Sequence, residues 1–313
     1  MADRATREAL GATLIELAGS GRDDIVVLDA DLAKATTTVK FKAAYPERFF
    51  DMGIAEQDLM GTAAGLAVGG KTPFASTFAV FATGRAYDQV RNSICYANLG
   101  VKIAATHAGV TVGPDGGSHQ MVEDIALMRV LPNMRVLVPA DFTSACAAIR
   151  IASETPGPFY VRLGRPAVPA LYAENAEFSL GVAPVLRSGA DVTIVACGNM
   201  VWRAVAAAGI LALEGIEADV VDMMSIKPLD EDTLLASATK TGAVVSCEEH
   251  SVIGGLGSAV ASALSQNRPC PLEMVGVADV FGTSGEAEPL MAHFGLTAGD
   301  IVAAAKRAIA RKA

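Results

Sequence analysis

The chain has 313 residues, room for two domains of ordinary size, and 51% of them are hydrophobic, enough to bury a sizeable core. A formal charge of -9, with no lysine or arginine run, argues against nucleic acid or an anionic membrane surface as the partner. Five cysteines (Cys95, Cys146, Cys197, Cys247 and Cys270) stand far apart without a C-x-x-C pair, a pattern of buried reduced thiols rather than of a disulfide framework.

The N-terminus passes directly into an amphipathic helical pattern without an apolar signal core, and no run of eighteen uncharged apolar residues occurs, so a cytoplasmic address is expected. Short runs rich in Val and Ile then alternate with longer helical patterns. That is the signature of parallel βαβ units, and the expected fold class is α/β with two doubly wound domains. Strands are expected at 24–28, 101–106, 135–138, 159–163, 192–196, 218–221, 243–247 and 272–277. The rhythm breaks between Arg165 and Ser188, where prolines and glycines gather, which divides the chain into domains 1–168 and 188–313.

Within the first domain, Gly53-Ile54-Ala55-Glu56-Gln57 puts an acid at the start of a helical pattern. Glu56 is either an exposed acid favoured by the helix dipole or a buried carboxyl that must share a proton with a partner. Next, residues 73–81 hold three phenylalanines, including Phe78 and Phe81, followed by Gly84-Arg85. The cluster reads as core packing or as a face on which a flat heterocycle stacks.

His107 and His119 bracket a loop that contains Asp115 and four glycines, and it leaves the carboxyl end of a strand, where parallel sheets open their ligand crevice. Imidazoles titrate near neutrality, so the pair reads as proton-transfer machinery or as two solvated side chains. No third convergent ligand at suitable spacing suggests a metal site there. Arg162 reads as a partner for an acid. Arg165, just past Gly164, reads as a bidentate phosphate contact or a solvated surface cation. In the second domain, the glycines of His250-Ser251-Val252-Ile253-Gly254-Gly255-Leu256-Gly257 miss the dinucleotide spacing and read as a tight strand-to-helix turn. His293 has no assigned role.

Taken together, the segments 53–57, 76–81, 107–119, 162–166 and 281–285 closely resemble motifs of the transketolase family of thiamine diphosphate enzymes, in the right order and through essentially the whole chain. The resemblance is to the C-terminal section of that family, a pyrimidine-binding domain followed by a C-terminal domain. It implies that Glu56 hydrogen-bonds the cofactor's aminopyrimidine, that Phe78 and Phe81 line its pocket, and that Asp31 and Leu32 lie near the cofactor. It also implies that His107, Asp115 and His119 bind substrate, with Arg165 and Arg7 at its phosphate. A tyrosine of some relatives, three residues beyond the second aromatic, is Gly84 here, so one pocket wall departs from the family pattern.

The chain lacks the Gly-Asp-Gly segment and Asn with which the family holds the diphosphate through Mg2+. The resemblance therefore implies one half of a split transketolase, a heterotetramer of two such chains with two diphosphate-binding chains, moving a two-carbon ketol unit between sugar phosphates. Two relatives offer rival readings. One is a 1-deoxyxylulose-5-phosphate synthase-like chain, which the run 85–90 resembles; the other is a β subunit of the decarboxylating component of 2-oxo acid dehydrogenases. A doubly wound protein that kept the fold and lost the chemistry is a third.

Overall fold

A computed structural model describes residues 2–312. Its first sheet has seven strands, which run edge to edge as Ser225–Lys227, Arg135–Leu137, Phe159–Arg162, Lys102–Ala105, Thr72–Ser76, Ile25–Asp29 and Phe49–Asp51. All neighbours are parallel except the first pair. A second sheet of five strands runs Leu272–Val277, Val244–Ser251, Val192–Ala196, Ala218–Asp222 and Val185–Arg187, with only the last antiparallel. Each expected strand is present within a few residues, and the α/β class with parallel sheets holds.

The central strands are mostly apolar rather than alternating because helices cover both faces: Ile25–Asp29, Val192–Ala196 and Ala218–Asp222 are buried at every position, including the polar Asp29, Thr193, Asp219 and Asp222. The Glu8–Gly19 and Phe142–Glu154 helices cover one face of the first sheet through Leu10, Leu14 and Ile149. The opposite face, with Leu59, Met60 and Ile103, is continuous with one face of the second sheet, where Val195, Val221 and Val260 pack. Each fully buried side chain of this size contributes about 1.5–3 kcal/mol, so the shared core binds the two sheets firmly. Helix starts are set locally, as where Asp141 and Ser144 form a reciprocal capping box ahead of Phe142–Glu154.

Three features depart from the sequence reading. Thr72–Ser76 is a central strand although Pro73 lies in it, and the aromatic residues that follow leave its carboxyl end. Ser225–Lys227, from the far side of the linker, returns to close the edge of the first sheet. The linker also carries order of its own, since Ala167–Val168 pairs with Arg4–Ala5.

The expected 243–247 strand continues to Ser251 and buries His250 within it. The glycine turn then opens the Leu256–Asn267 helix, as expected, and its reason is steric: a Cβ on Gly255 would lie 2.0 Å from Glu248 Oε2. That carboxylate accepts from Leu256 N and Gly257 N at 2.7 Å each, satisfying the helix's first donors. The five cysteines are free, three buried and two half-buried. No helix among the described residues is long and apolar enough to cross a membrane.

Candidate active site

The carboxyl ends of the first sheet's strands bring most of the singled-out residues together. Glu56 opens the Glu56–Val68 helix and is only 2% exposed, so the reading of an exposed acid is overturned. Its partner is Arg85, whose Nη1 donates to Oε1 at 3.0 Å and to Oε2 at 2.9 Å. Arg85 ends a short π-helical stretch, Phe81–Arg85, and its guanidinium lies 4.6 Å above the centre of the Phe81 ring. Arginine and aromatic ring thus sit side by side at the acid, an arrangement that only the Gly84-Arg85 pair hinted at. A Cβ on Gly84 would meet nothing within 4 Å, so the side of the cluster where some relatives carry a tyrosine is open.

Phe81 stacks on Phe78 with ring centres 6.0 Å apart, and Phe78 stacks on the His107 imidazole at 3.9 Å. His119 meets both phenyl rings edge-on, at 6.4 Å from Phe78 and 5.5 Å from Phe81. One aromatic wall therefore joins both loop histidines to the neighbourhood of Glu56. The phenylalanines serve packing and wall at once: Phe78 is buried, and Phe81 half-buried.

His107 is 3% exposed and holds a left-handed backbone, φ 58°, which for a non-glycine residue marks a strained and constrained position. Burial, reinforced by the charges of Arg7 and Arg165, pushes its pKa down to about 3. The ring is thus neutral at pH 7. Arg7 Nη1 lies 3.3 Å from Nε2, and because a guanidinium can only donate, Nε2 accepts and the proton sits on Nδ1, 2.9 Å from Thr106 Oγ1. His119 is half-buried, its Nδ1 3.0 Å from Ser118 Oγ.

Arg165 donates to Asp115 Oδ2 at 3.2 Å and to the Val112 carbonyl, so the loop acid and the strand-end arginine do meet. Burial and the nearby Arg165 charge lower the pKa of Arg7, whose Nε has no hydrogen-bond partner among the described residues. Two guanidiniums near one buried imidazole, with Asp115 paired to one and Glu8 near the other, form a candidate site for an anion.

Asp31 and Leu32 join the site through polar links rather than through the rings. Asp51 Oδ1 accepts from Asp31 N at 3.1 Å and from Gly53 N at 3.2 Å, tying that turn to the segment that leads into Glu56. Leu32 N donates at 2.7 Å to Asp29, an acid the sequence reading passed over. Asp29 is fully buried, burial pushes its pKa up to about 6, and Thr36 and Thr38 donate to its other oxygen.

The loop 107–119 is held from the second domain. Glu249 Oε1 accepts from Thr111 N at 2.8 Å, and Gly109 is obligatory because a Cβ there would lie 2.2 Å from that oxygen. Gln120 Nε2 donates to the carbonyls of Val110, Gly113 and Thr283, stitching the loop to the 281–285 segment. Arg162 pairs with an acid, as expected: it donates to Asp124 at 2.6 and 3.0 Å and to the Glu249 carbonyl at 2.9 Å, all buried. Burial pushes the Asp124 carboxyl up, but the Arg162 charge and hydrogen bonds more than reverse this and hold it below the usual carboxylate range.

Comparison with known proteins fits this geometry. Residues 2–170 match the family model described as transketolase, pyrimidine binding domain, and residues 181–301 match that described as transketolase, C-terminal domain. The chain is 48% identical over 293 residues to the putative transketolase C-terminal section of Methanocaldococcus jannaschii, spanning 93% of this chain and 92% of that protein. It is 47% identical over 290 residues to the 6-deoxy-6-sulfo-D-fructose transketolase subunit SqwH of a Clostridium species, spanning 93% and 90%. A solved structure described as a split gene transketolase, inactive beta4 tetramer, is 56% identical with a TM-score of 0.92, each chain covered over 100%. With both models matched in order along one polypeptide, the chain belongs to the transketolase family, of which it carries the pyrimidine-binding and C-terminal domains.

Proposed function

We propose that the chain is the pyrimidine-binding subunit of a split transketolase, active once joined to a diphosphate-binding chain in a heterotetramer of two and two. The observation that carries this reading is Glu56, a buried acid at a helix start whose partner lies against an aromatic wall that also bears two histidines. A buried carboxyl beside flat rings fits an aminopyrimidine, which offers a ring nitrogen to the acid and a π face to Phe78 and Phe81. When bound, thiamine diphosphate supplies the nucleophilic carbon that receives the ketol unit. Mg2+ and the diphosphate are, in this reading, held by the partner chain.

In this reading Glu56 shares a proton with the pyrimidine nitrogen. His107 is neutral, and when Arg7 turns to the substrate phosphate the ring's Nε2 is free to accept from a substrate hydroxyl without adding charge, while His119 serves the same end from the half-buried side. Asp115 reads a hydroxyl, while Arg165 and Arg7 receive the sugar's phosphate. Asp31 and Leu32 support the cofactor from the neighbouring turn. The substrates are ketose and aldose phosphates, including those of pentose phosphate metabolism, and the address is the cytoplasm, in keeping with five unpaired cysteines.

The test is reconstitution with a diphosphate-binding transketolase chain, Mg2+ and thiamine diphosphate. Ketol transfer is expected from the pair, and Glu56→Gln should lower turnover roughly 100- to 10,000-fold. Full turnover by Glu56→Gln would sink the assignment of that acid. Release of carbon dioxide from pyruvate at the rate of ketol transfer would replace the reaction by that of the synthase-like relatives.

A further inference from the structure

The Glu56–Arg85 pair stands where the proposed chemistry needs Glu56 to be available. Both carboxylate oxygens accept from Arg85 Nη1, and the same guanidinium covers the Phe81 ring at 4.6 Å. Arg85 thereby offers the acid donated hydrogen bonds and offers the ring a flat, delocalised π-stacking cation, the two interactions an aminopyrimidine would make. The acid side of the pair is 2% exposed, whereas the Arg85 side chain is 51% exposed. Glu56 is therefore fixed by its helix, and the half-solvated arginine can swing out into water once another donor takes its place at the acid. The open space beside Gly84 is the adjacent route.

We propose that Arg85 is a positioning residue that acts as a placeholder: in the uncombined chain it occupies the Glu56 carboxylate and the Phe81 face, and it withdraws when an aminopyrimidine takes both. The inference rests on the reading of Glu56 given above. The placeholder keeps a desolvated acid paired in the subunit that lacks cofactor, where leaving it alone would be costly. It also reduces the apparent affinity for the pyrimidine by the fraction of molecules still latched.

The probe is the hydroxymethyl-aminopyrimidine half of thiamine, titrated into the lone chain by ligand-observed NMR, followed by thiamine diphosphate with Mg2+ titrated into the reconstituted pair. Arg85→Ala should tighten both by about three- to tenfold, as release from a largely latched state requires. Arg85→Lys, with a charge but no flat fork, should fall between wild type and Arg85→Ala. In a Glu56→Gln background the gain from Arg85→Ala should shrink, because the neutral amide holds the guanidinium through one oxygen and without charge. Unchanged binding in Arg85→Ala overturns the placeholder, and so does binding weakened tenfold, which would make Arg85 a holder of the cofactor. The role of Glu56 fails on a different result, wild-type turnover by the Glu56→Gln pair.

Discussion

Arg162 with Asp124 and Arg85 with Glu56 are built from the same two kinds of group and stand in opposite surroundings. In the first, both side chains are buried, Tyr160 donates to the same acid at 2.6 Å, and the arginine's Nη2 also donates to the Met121 and Glu249 carbonyls. In the second, only the acid is buried, and the arginine lies on a ring with half its surface in water. A closed pair costs a full desolvation if broken and so serves as a fixed joint, here between the Asp124–Arg129 helix and the Phe159–Arg162 strand. A half-open pair can be exchanged for another partner, which suits a site that must accept a ligand.

The largest break of that comparison is at the closed joint. Asp124→Ala leaves the Arg162 guanidinium buried without its acid and should cost about 3–5 kcal/mol, read by denaturant unfolding as a lower midpoint at unchanged slope. A loss below about 1 kcal/mol would mean that the joint is no firmer than the open pair.

His107 stacks on Phe78 in the ring wall beside the open pair, and its effect is read as a slope against pH rather than as a single loss. Its folded pKa is down to about 3 against 6.5 in the unfolded chain, so the unfolded chain binds the extra proton in that window. The stability it contributes is present above about pH 6.5 and is lost as pH falls towards 3, by at most about 1.4 kcal/mol per pH unit. A His107→Gln variant should show a shallower loss over the same window, and an imidazole that titrates near 6.5 by NMR would refute the assignment.

The smallest effect is expected at the open pair itself. Arg85→Ala should cost the lone chain about 1–3 kcal/mol, less than Asp124→Ala, because it leaves the buried Glu56 carboxyl unpaired but removes an arginine that is already half solvated. A thermal melt that falls as far as that of Asp124→Ala would erase the distinction.

The fold was legible where periodicity speaks. Ile25–Asp29 and Val192–Ala196 are largely apolar because both their faces are covered, and Glu56 was visible as an acid opening a helix. Thr72–Ser76 was not legible because Pro73 argues against a strand, and Ser225–Lys227 is too short to show a period. Of the site, the identities of Phe78, His107, Asp115 and Arg165 could be read, but their pairings could not. Arg7 meets His107 across 100 positions of chain, and Arg85 meets Glu56 across 29, separations over which no local pattern carries information. Asp29 was missed for a related reason: a buried acid at a strand end is indistinguishable in sequence from a solvated one until the threonines that satisfy it are placed.

The returning strand Ser225–Lys227 also has a bearing on biosynthesis. The ribosome releases residues 1–170 well before residue 225, so during that interval the nascent first sheet ends in the bare ladder of Arg135–Leu137. Only when the later segment emerges does that ladder gain its neighbour and does Lys227 Nζ reach the Arg129 and Leu131 carbonyls, at 3.0 and 2.6 Å. Until then the raw rim is a template for any extended peptide nearby, and a fragment cut at the linker would keep that adhesiveness for good.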